Sequence, residues 1–293
     1  MLVVFSAVVG PRGSVPQRGN LADTSAWNLQ PRRDMRSNRE SPCFFGVESL
    51  TVPAWERDPA EVAGASEGSE VIAAPPVERG HVTASPSLAG RGRRVSTKLR
   101  AGAYVMDSLF DSMLPLPARS VAAMYWTPIR VATRAAQLLA EEPTARILDV
   151  GAGVGKFCLV GALTTQARFF GIEQRESLVA YAQKLALMLG VDDASFELGR
   201  FDALDPKDFD GFYFYNPFEE SRFSKHSQYD DTVVLSEERF VEDVAKAQRF
   251  LAEARVGAKV VTYNGMGGEL PWSYSLKVRE TMGCTLELWQ KEF

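Results

Sequence analysis

The stretch "RILDVGAGVGKF", Arg146–Phe157, constrains this chain more than any other. An apolar run carries an acid, Asp149, and then meets glycine at every second position: Gly151, Gly153 and Gly155. A short apolar run closed by glycines predicts a buried strand entering a tight turn. Glycine takes left-handed backbone angles without steric penalty and lets a ligand come close to the main chain. Turns of this kind hold nucleotides, and the spacing of the residues decides which.

The sequence around the turn alternates. Strands are predicted over Arg146–Val150, Arg168–Glu173, Ser195–Leu198, Gly211–Tyr215 and Ala258–Tyr263. Helices are predicted over 155–165, over Glu176–Leu189 with Gly190 as its stop, and over Glu237–Ala254. Two alternating segments, Tyr274–Arg279 and Thr285–Gln290, flank "TMGC" and predict a hairpin. Strand–helix alternation implies an α/β fold, here a doubly wound, mostly parallel sheet of seven strands with a terminal antiparallel hairpin.

Ahead of it, residues 101–143 predict a helical extension. Val105, Leu109, Phe110 and Met113 recur at helical spacing before Pro115 and Pro117. A second helix follows in "TPIRVATRAAQLLAEE", with Thr127 as N-cap, Pro128 at the first position and Ile129, Val131, Ala132, Ala135 and Leu138 on one face. Residues 144–293 then form the main domain.

Residues 1–95 are rich in Pro, Gly, Ser, Arg and Ala and show no sustained period, which predicts a disordered leader. A transit peptide is a second reading, against which Asp23, Asp34 and Glu40 count, and a downstream start of translation is a third. The segment Leu2–Val9 lacks a preceding basic region and a clear cleavage site, so it is not read as a signal peptide. The most basic run, "RGRRVSTKLR" at Arg91–Arg100, reads as a solvated linker, with an RNA-contacting arm as the alternative.

Charge and composition exclude several classes. The 293-residue chain has a formal net charge of −4, but residues 1–100 hold 13 Lys and Arg against 10 Asp and Glu, so the remainder carries −7. An acidic folded part is a poor general binder of nucleic acid, although a local basic groove is compatible with it. No apolar run approaches the ~18 residues of a membrane span. The scattered Cys43, Cys158 and Cys284 argue against a disulfide framework and for a reducing, cytoplasmic setting. His81 and His226 have no second ligand at metal-binding spacing, so no metal is expected. The lack of a G-x-S-x-G elbow disfavours a Ser-His-Asp hydrolase.

Two phosphate-binding turns fail on spacing. A P-loop needs four residues between its glycines and a hydroxyl after the lysine, but Gly151 and Gly155 enclose three and Phe157 follows Lys156. A dinucleotide turn needs a small third residue, and the two possible positions hold Lys156 and Cys158. A nicotinamide oxidoreductase is disfavoured for the same reason. S-adenosylmethionine, which has no phosphates, remains. An acid at the first strand end, Asp149, can take its ammonium, directly or through water. An acid at the next strand end, Glu173, stands 24 residues later and can accept the ribose hydroxyls.

These residues resemble the class I S-adenosylmethionine-dependent methyltransferases, a Rossmann-like family, over about Tyr125–Phe293. "ILDVGAGVGKF" is similar to their first motif, and "FFGIEQ" is similar to the segment with the ribose-binding acid, here Glu173 followed by Gln174. "GRFDAL" resembles the segment in which an acid, here Asp202, approaches the adenine amino group with Phe201 against the ring. "MYWTPIRVA" resembles the helix that closes over the methionine end and implies contacts from Tyr125, Trp126 and Thr127.

The fourth strand ends "FYFYNPFEE", which partly resembles the [DNS]-P-P-[FYW] motif of the amino-methylating branch. The resemblance implies that Asn216, Pro217 and Phe218 form the catalytic edge, Asn216 accepting hydrogen bonds from the target amine. The second proline is missing, and Asn216-Pro217 also reads as a strand-ending turn. Glu219 and Glu220 are alternative groups for orienting an amine. The loop Thr262–Trp272, with three glycines, suggests a substrate-side lid. The expectation is thus a methyltransferase acting by in-line displacement on nitrogen, in a protein side chain or a small molecule. RNA methylation and a non-catalytic S-adenosylmethionine-binding module that regulates a partner are the alternatives.

Overall fold

The computed structural model describes residues 87–293. Five helices precede the sheet: α1 (Leu88–Arg100), α2 (Asp107–Asp111), α3 (Leu116–Ser120), α4 (Ala122–Tyr125) and α5 (Ile129–Leu139). The chain continues through β1 (Arg146–Val150), α6 (Lys156–Thr164), β2 (Arg168–Glu173), α7 (Glu176–Leu189), β3 (Ala194–Leu198), β4 (Gly211–Phe214), α8 (Glu237–Glu253), β5 (Lys259–Tyr263), β6 (Tyr274–Met282) and β7 (Cys284–Lys291).

One seven-stranded sheet has the order β3-β2-β1-β4-β5-β7-β6. The first five strands pair in parallel, and β7 joins β5 and β6 antiparallel. This is the doubly wound sheet with a terminal hairpin that strand–helix alternation predicts. The hairpin turns at Gly283, whose φ of 89° suits glycine.

Strand alternation divides the core between the two faces of the sheet. Ile147 and Tyr213 belong to the cluster that contains the apolar residues of α1, α5, α6 and α7. Leu148, Val150, Phe212 and Phe214 belong to the other cluster, with Phe240, Phe250 and Leu251 of α8.

Helix α1 corrects the placement of a leader boundary at residue 95 and of a solvated linker over Arg91–Arg100. Ser87 caps the helix by accepting from Gly90 N at 3.2 Å. Val95 and Leu99, four apart, are 0% and 3% exposed. Gly92 lets α1 lie against α7, since a Cβ there would stand 2.5 Å from the Met188 carbonyl oxygen. The apolar face is narrow and its neighbours Arg93, Arg94 and Arg100 are exposed, so the run has the composition of a linker. Residues 1–86 of the expected leader, with the transit-peptide reading, lie outside the described residues.

The expected cap of α5 is also corrected. Pro128 occupies the N-cap position, and Asp107 Oδ1 accepts from Ile129 N at 2.8 Å. Lys156 ties the extension to the domain. Its ammonium is 3% exposed and pairs with Asp107 at 2.7 Å and Asp111 at 2.8 Å.

Candidate functional site

Strands β1 and β4 are neighbours, yet the chain leaves β1 toward one edge of the sheet and β4 toward the other. Their C-terminal ends therefore open a crevice, where ligands bind in open parallel sheets. A cavity of about 580 Å³ occupies it.

The glycine turn forms one wall. Gly151 and Gly153 have φ of 76° and 54°. A Cβ at Gly151 would stand 2.9 Å from Pro217 Cβ, and one at Gly153 would stand 2.5 Å from the Trp126 ring. No side chain fits either position. Glu173, at the end of β2, is buried and bound to this turn. Its Oε2 accepts from Gly153 N at 3.0 Å, and its Oε1 accepts from Gln174 N at 2.8 Å and Arg175 N at 2.9 Å. Burial pushes its carboxyl up, and the hydrogen bonds from Arg175 and Gly153 oppose that rise.

Opposite stands the end of β4. Asn216 has a φ of 42°, a left-handed angle that Asn tolerates. Its N–H donates to Gly265 O at 3.1 Å. Pro217 rests against Gly151. Phe218 is buried, 5.7 Å from Phe201 between ring centres. The roof is the segment between β4 and α8. Glu220 anchors it to Arg175 through two bonds of 3.0 Å, and Asp230 accepts from Arg175 Nε at 2.8 Å. Tyr125 OH donates to Ser227 O at 2.7 Å, and Tyr229 N donates to Glu220 Oε1 at 2.7 Å.

Residues 141–243 match the family model described as a methyltransferase domain. That stretch of the chain has the pattern of a methyltransferase domain. No curated protein matches the sequence. Among solved structures, an RNA methyltransferase from Salinibacter ruber in complex with S-adenosyl-L-homocysteine is 23% identical, with a TM-score of 0.42 over 57% of this chain and 93% of that one. TrmN from Thermus thermophilus is 17% identical, with a TM-score of 0.43 over 56% of this chain and 49% of that one. The putative methyltransferase yhhF from Escherichia coli is 19% identical, with a TM-score of 0.41 over 56% and 84%.

The methyltransferase domain brings most of the expected site residues together. Tyr125, Gly151, Gly153, Glu173, Gln174, Phe201, Asn216, Pro217 and Phe218 all line the cavity, as does Trp126. The set fits S-adenosylmethionine. The turn has no side chain to obstruct the cofactor, Glu173 offers a carboxylate at the strand end, and Ile172 and Phe201 add apolar walls. The three N–H bonds use three of the roughly four lone-pair sites of the Glu173 carboxylate, which leaves about one for a ribose hydroxyl.

Four expected residues stand apart from the cavity lining. Asp149 alternates with Leu148 and Val150 and so lies on the α6 face, where Cys158 Sγ donates to its Oδ2 at 3.5 Å. Burial pushes its carboxyl up to about 7. Gly155, at the start of α6, makes room for the Phe196 ring. The Thr127 hydroxyl pairs with Tyr213 OH at 3.1 Å. Asp202 pairs with Arg200 at 3.1 Å and Lys246 at 3.3 Å. Burial alone would raise its carboxyl, but these two cations hold it below the ordinary range.

The β4–α8 segment lines more of the cavity than the expected lid at Thr262–Trp272. Gly267 and Gly268 pack against Phe240 and Val244 of α8, Trp272 is exposed beside Phe293, and only Asn264 reaches the cavity. Arg175 is the main residue that sequence reasoning missed. Its one signal is its place two positions after Glu173. Among the described residues, no group of His, Cys, Asp or Glu is placed to hold a metal. Nor is any described helix long and apolar enough to cross a membrane.

Proposed function

We propose that the domain methylates nitrogen, on a small molecule or on a single protein side chain. Asn216 carries this reading. Pro217 against Gly151 fixes it beside the turn, and its side-chain amide makes no hydrogen bond with another described residue. The amide oxygen is therefore available to an acceptor N–H, which turns the nitrogen lone pair toward the cofactor methyl. S-adenosylmethionine supplies the electrophilic methyl and the leaving group. The chain's own residues hold the reactants in line and exclude water. The cavity, about 580 Å³ under its roof, suits a small or side-chain-sized acceptor beside the cofactor. Residues 87–293 hold 25 Lys and Arg against 27 Asp and Glu, so no excess of positive charge supports an RNA acceptor.

A second reading, a non-catalytic cofactor-binding module, draws on Phe218. Its ring packs on Phe201 and is 7% exposed, so little of it is open to a target.

Transfer of labelled methyl into fractionated protein, metabolite and RNA pools tests the proposal. Label is expected in protein or metabolites. Asn216→Ala should lower the rate ~10²–10³-fold while cofactor binding persists, because one orienting bond at the reacting centre is lost. Asn216→Asp should keep partial activity. Near-normal rates in both variants would move the acceptor site away from Asn216. Label in RNA alone would overturn the acceptor assignment. No label in any pool, with S-adenosylhomocysteine still bound, would favour the binding module.

A further inference from the structure

This inference names the acceptor class and rests on the nitrogen-methylation reading. We infer that the acceptor is a cation, an amine that enters the cavity protonated, received by an aromatic wall and by Glu219.

Tyr125, Trp126, Tyr215 and Tyr229 are among the residues that line the cavity, and the Arg175 guanidinium already stands 5.6 Å from the Tyr229 ring centre. The Tyr125 ring centre lies 5.7 Å from Trp126 and 6.2 Å from Tyr229, and Trp126 lies 6.0 Å from Tyr229. Each is held by its polar end or its backbone. Tyr125 OH donates to Ser227 O, Trp126 Nε1 to Ala118 O, and Tyr215 OH to Met124 O, while the Tyr229 N–H bonds Glu220. Aromatic faces attract cations through the ring quadrupole, more strongly where water is excluded.

The charges on the wall point the same way. Glu173 is engaged by three N–H groups, Glu220 by Arg175, and Asp243 by Arg200 and Arg239. Among the described residues Glu219 pairs only with Arg222, at 3.2 Å, and Arg222 is 45% exposed and shared with Glu237. An exposed pair of that kind contributes little and is screened by salt, so a ligand cation can take Glu219 over. The two arginines on the wall are each matched with two carboxylates, Arg175 with Glu220 and Asp230, Arg200 with Asp202 and Asp243. Neither offers an unmatched charge to an anionic acceptor.

Transfer from such a ligand balances without another reagent. The ammonium gives one proton to Glu219, which releases it to solvent. The freed lone pair forms the N–C bond as the methyl C–S bond breaks, and sulfur keeps the electron pair. The product is the protonated N-methyl amine and the neutral thioether.

Calorimetry on the full chain, with S-adenosylhomocysteine present, tests this with a matched pair of probes. Choline carries the cation, and 3,3-dimethyl-1-butanol is its neutral carbon isostere. Choline should bind about tenfold more tightly, as expected for a ring-faced cation beside a carboxylate. Glu219→Gln should lower choline affinity several-fold and leave the alcohol unchanged, with thermal melting confirming the fold. Equal affinities for the two probes, or unchanged choline affinity in Glu219→Gln, would overturn the inference. In that event, label transfer to neutral nitrogen acceptors would leave the proposed function standing. Failure of S-adenosylhomocysteine itself to bind would instead remove the proposed function.

Discussion

Arg175 and Glu220, 45 positions apart, meet in a two-bond pair with both nitrogen–oxygen distances at 3.0 Å. Arg175 also donates its backbone N–H to Glu173. One residue thus touches both the carboxylate at the end of β2 and the segment between β4 and α8. Glu220, a candidate for orienting an amine from sequence, is occupied by this pair. Glu219 remains.

The pair should be structural as well as positional. Side-chain exposure is 5% for Arg175 and 13% for Glu220. Arg175→Ala leaves a largely buried carboxylate without its partner, which costs about 3–5 kcal/mol. Chemical denaturation should show that loss. The double variant Arg175→Met, Glu220→Leu should lose less than the sum of the single changes, because the two groups act as a unit. Additive losses would mean that the two side chains do not interact in solution.

Glu173 should act on the fold and on the cofactor together. Glu173→Ala strips three backbone N–H groups of their acceptor, and hydrogen bonds to a charged group contribute about 1.5–3 kcal/mol each. Calorimetry should show at least a ~tenfold drop in S-adenosylhomocysteine affinity, with a lower melting temperature. Glu173→Gln keeps one acceptor oxygen and should lie between. Unchanged affinity in both variants would place the ribose elsewhere.

Asp149 makes a pH-dependent contribution to stability. Its folded-state value of about 7 lies above the ordinary carboxyl value of 3.8, because burial favours the neutral form. The folded state then holds a proton that the unfolded chain has released, so stability falls as pH rises from about 4 through 7. Asp149→Asn should remove that slope and become the more stable protein at pH 8, by up to about 4 kcal/mol. Urea midpoints of both proteins at pH 5 and pH 8 check this, and an unchanged difference between the two pH values would refute it.

The described residues begin at Ser87. Deletion of 1–86 should leave cofactor binding in place. Deletion of 1–100 should lower stability by several kcal/mol, because burying one Val or Leu side chain is worth roughly 1.5–3 kcal/mol and α1 buries Val95 and Leu99. Equal melting temperatures for the two deletions would show that α1 adds nothing.

The sequence by itself determined the sheet and the glycine turn after its first strand. Gly151, Gly153 and Glu173 were legible because left-handed turn angles, strand ends and helix spacing depend on residues close in the chain. Strand β1 was predicted at its observed limits for that reason, and β2 and α7 likewise. Asp149 was legible as an acid, and its alternation with Leu148 and Val150 places it on the α6 face. Helix α1 was hidden because two buried apolar side chains, Val95 and Leu99, among five basic ones resemble a linker until α7 is there to cover them. The roof was decided by tertiary structure alone. Whether a carboxylate in "NPFEE" faces an amine or an arginine depends on where the β4–α8 segment settles over the crevice. That is set by Arg175 and Tyr125, and partners 45 and 95 positions away from Glu220 leave no periodic trace in the chain.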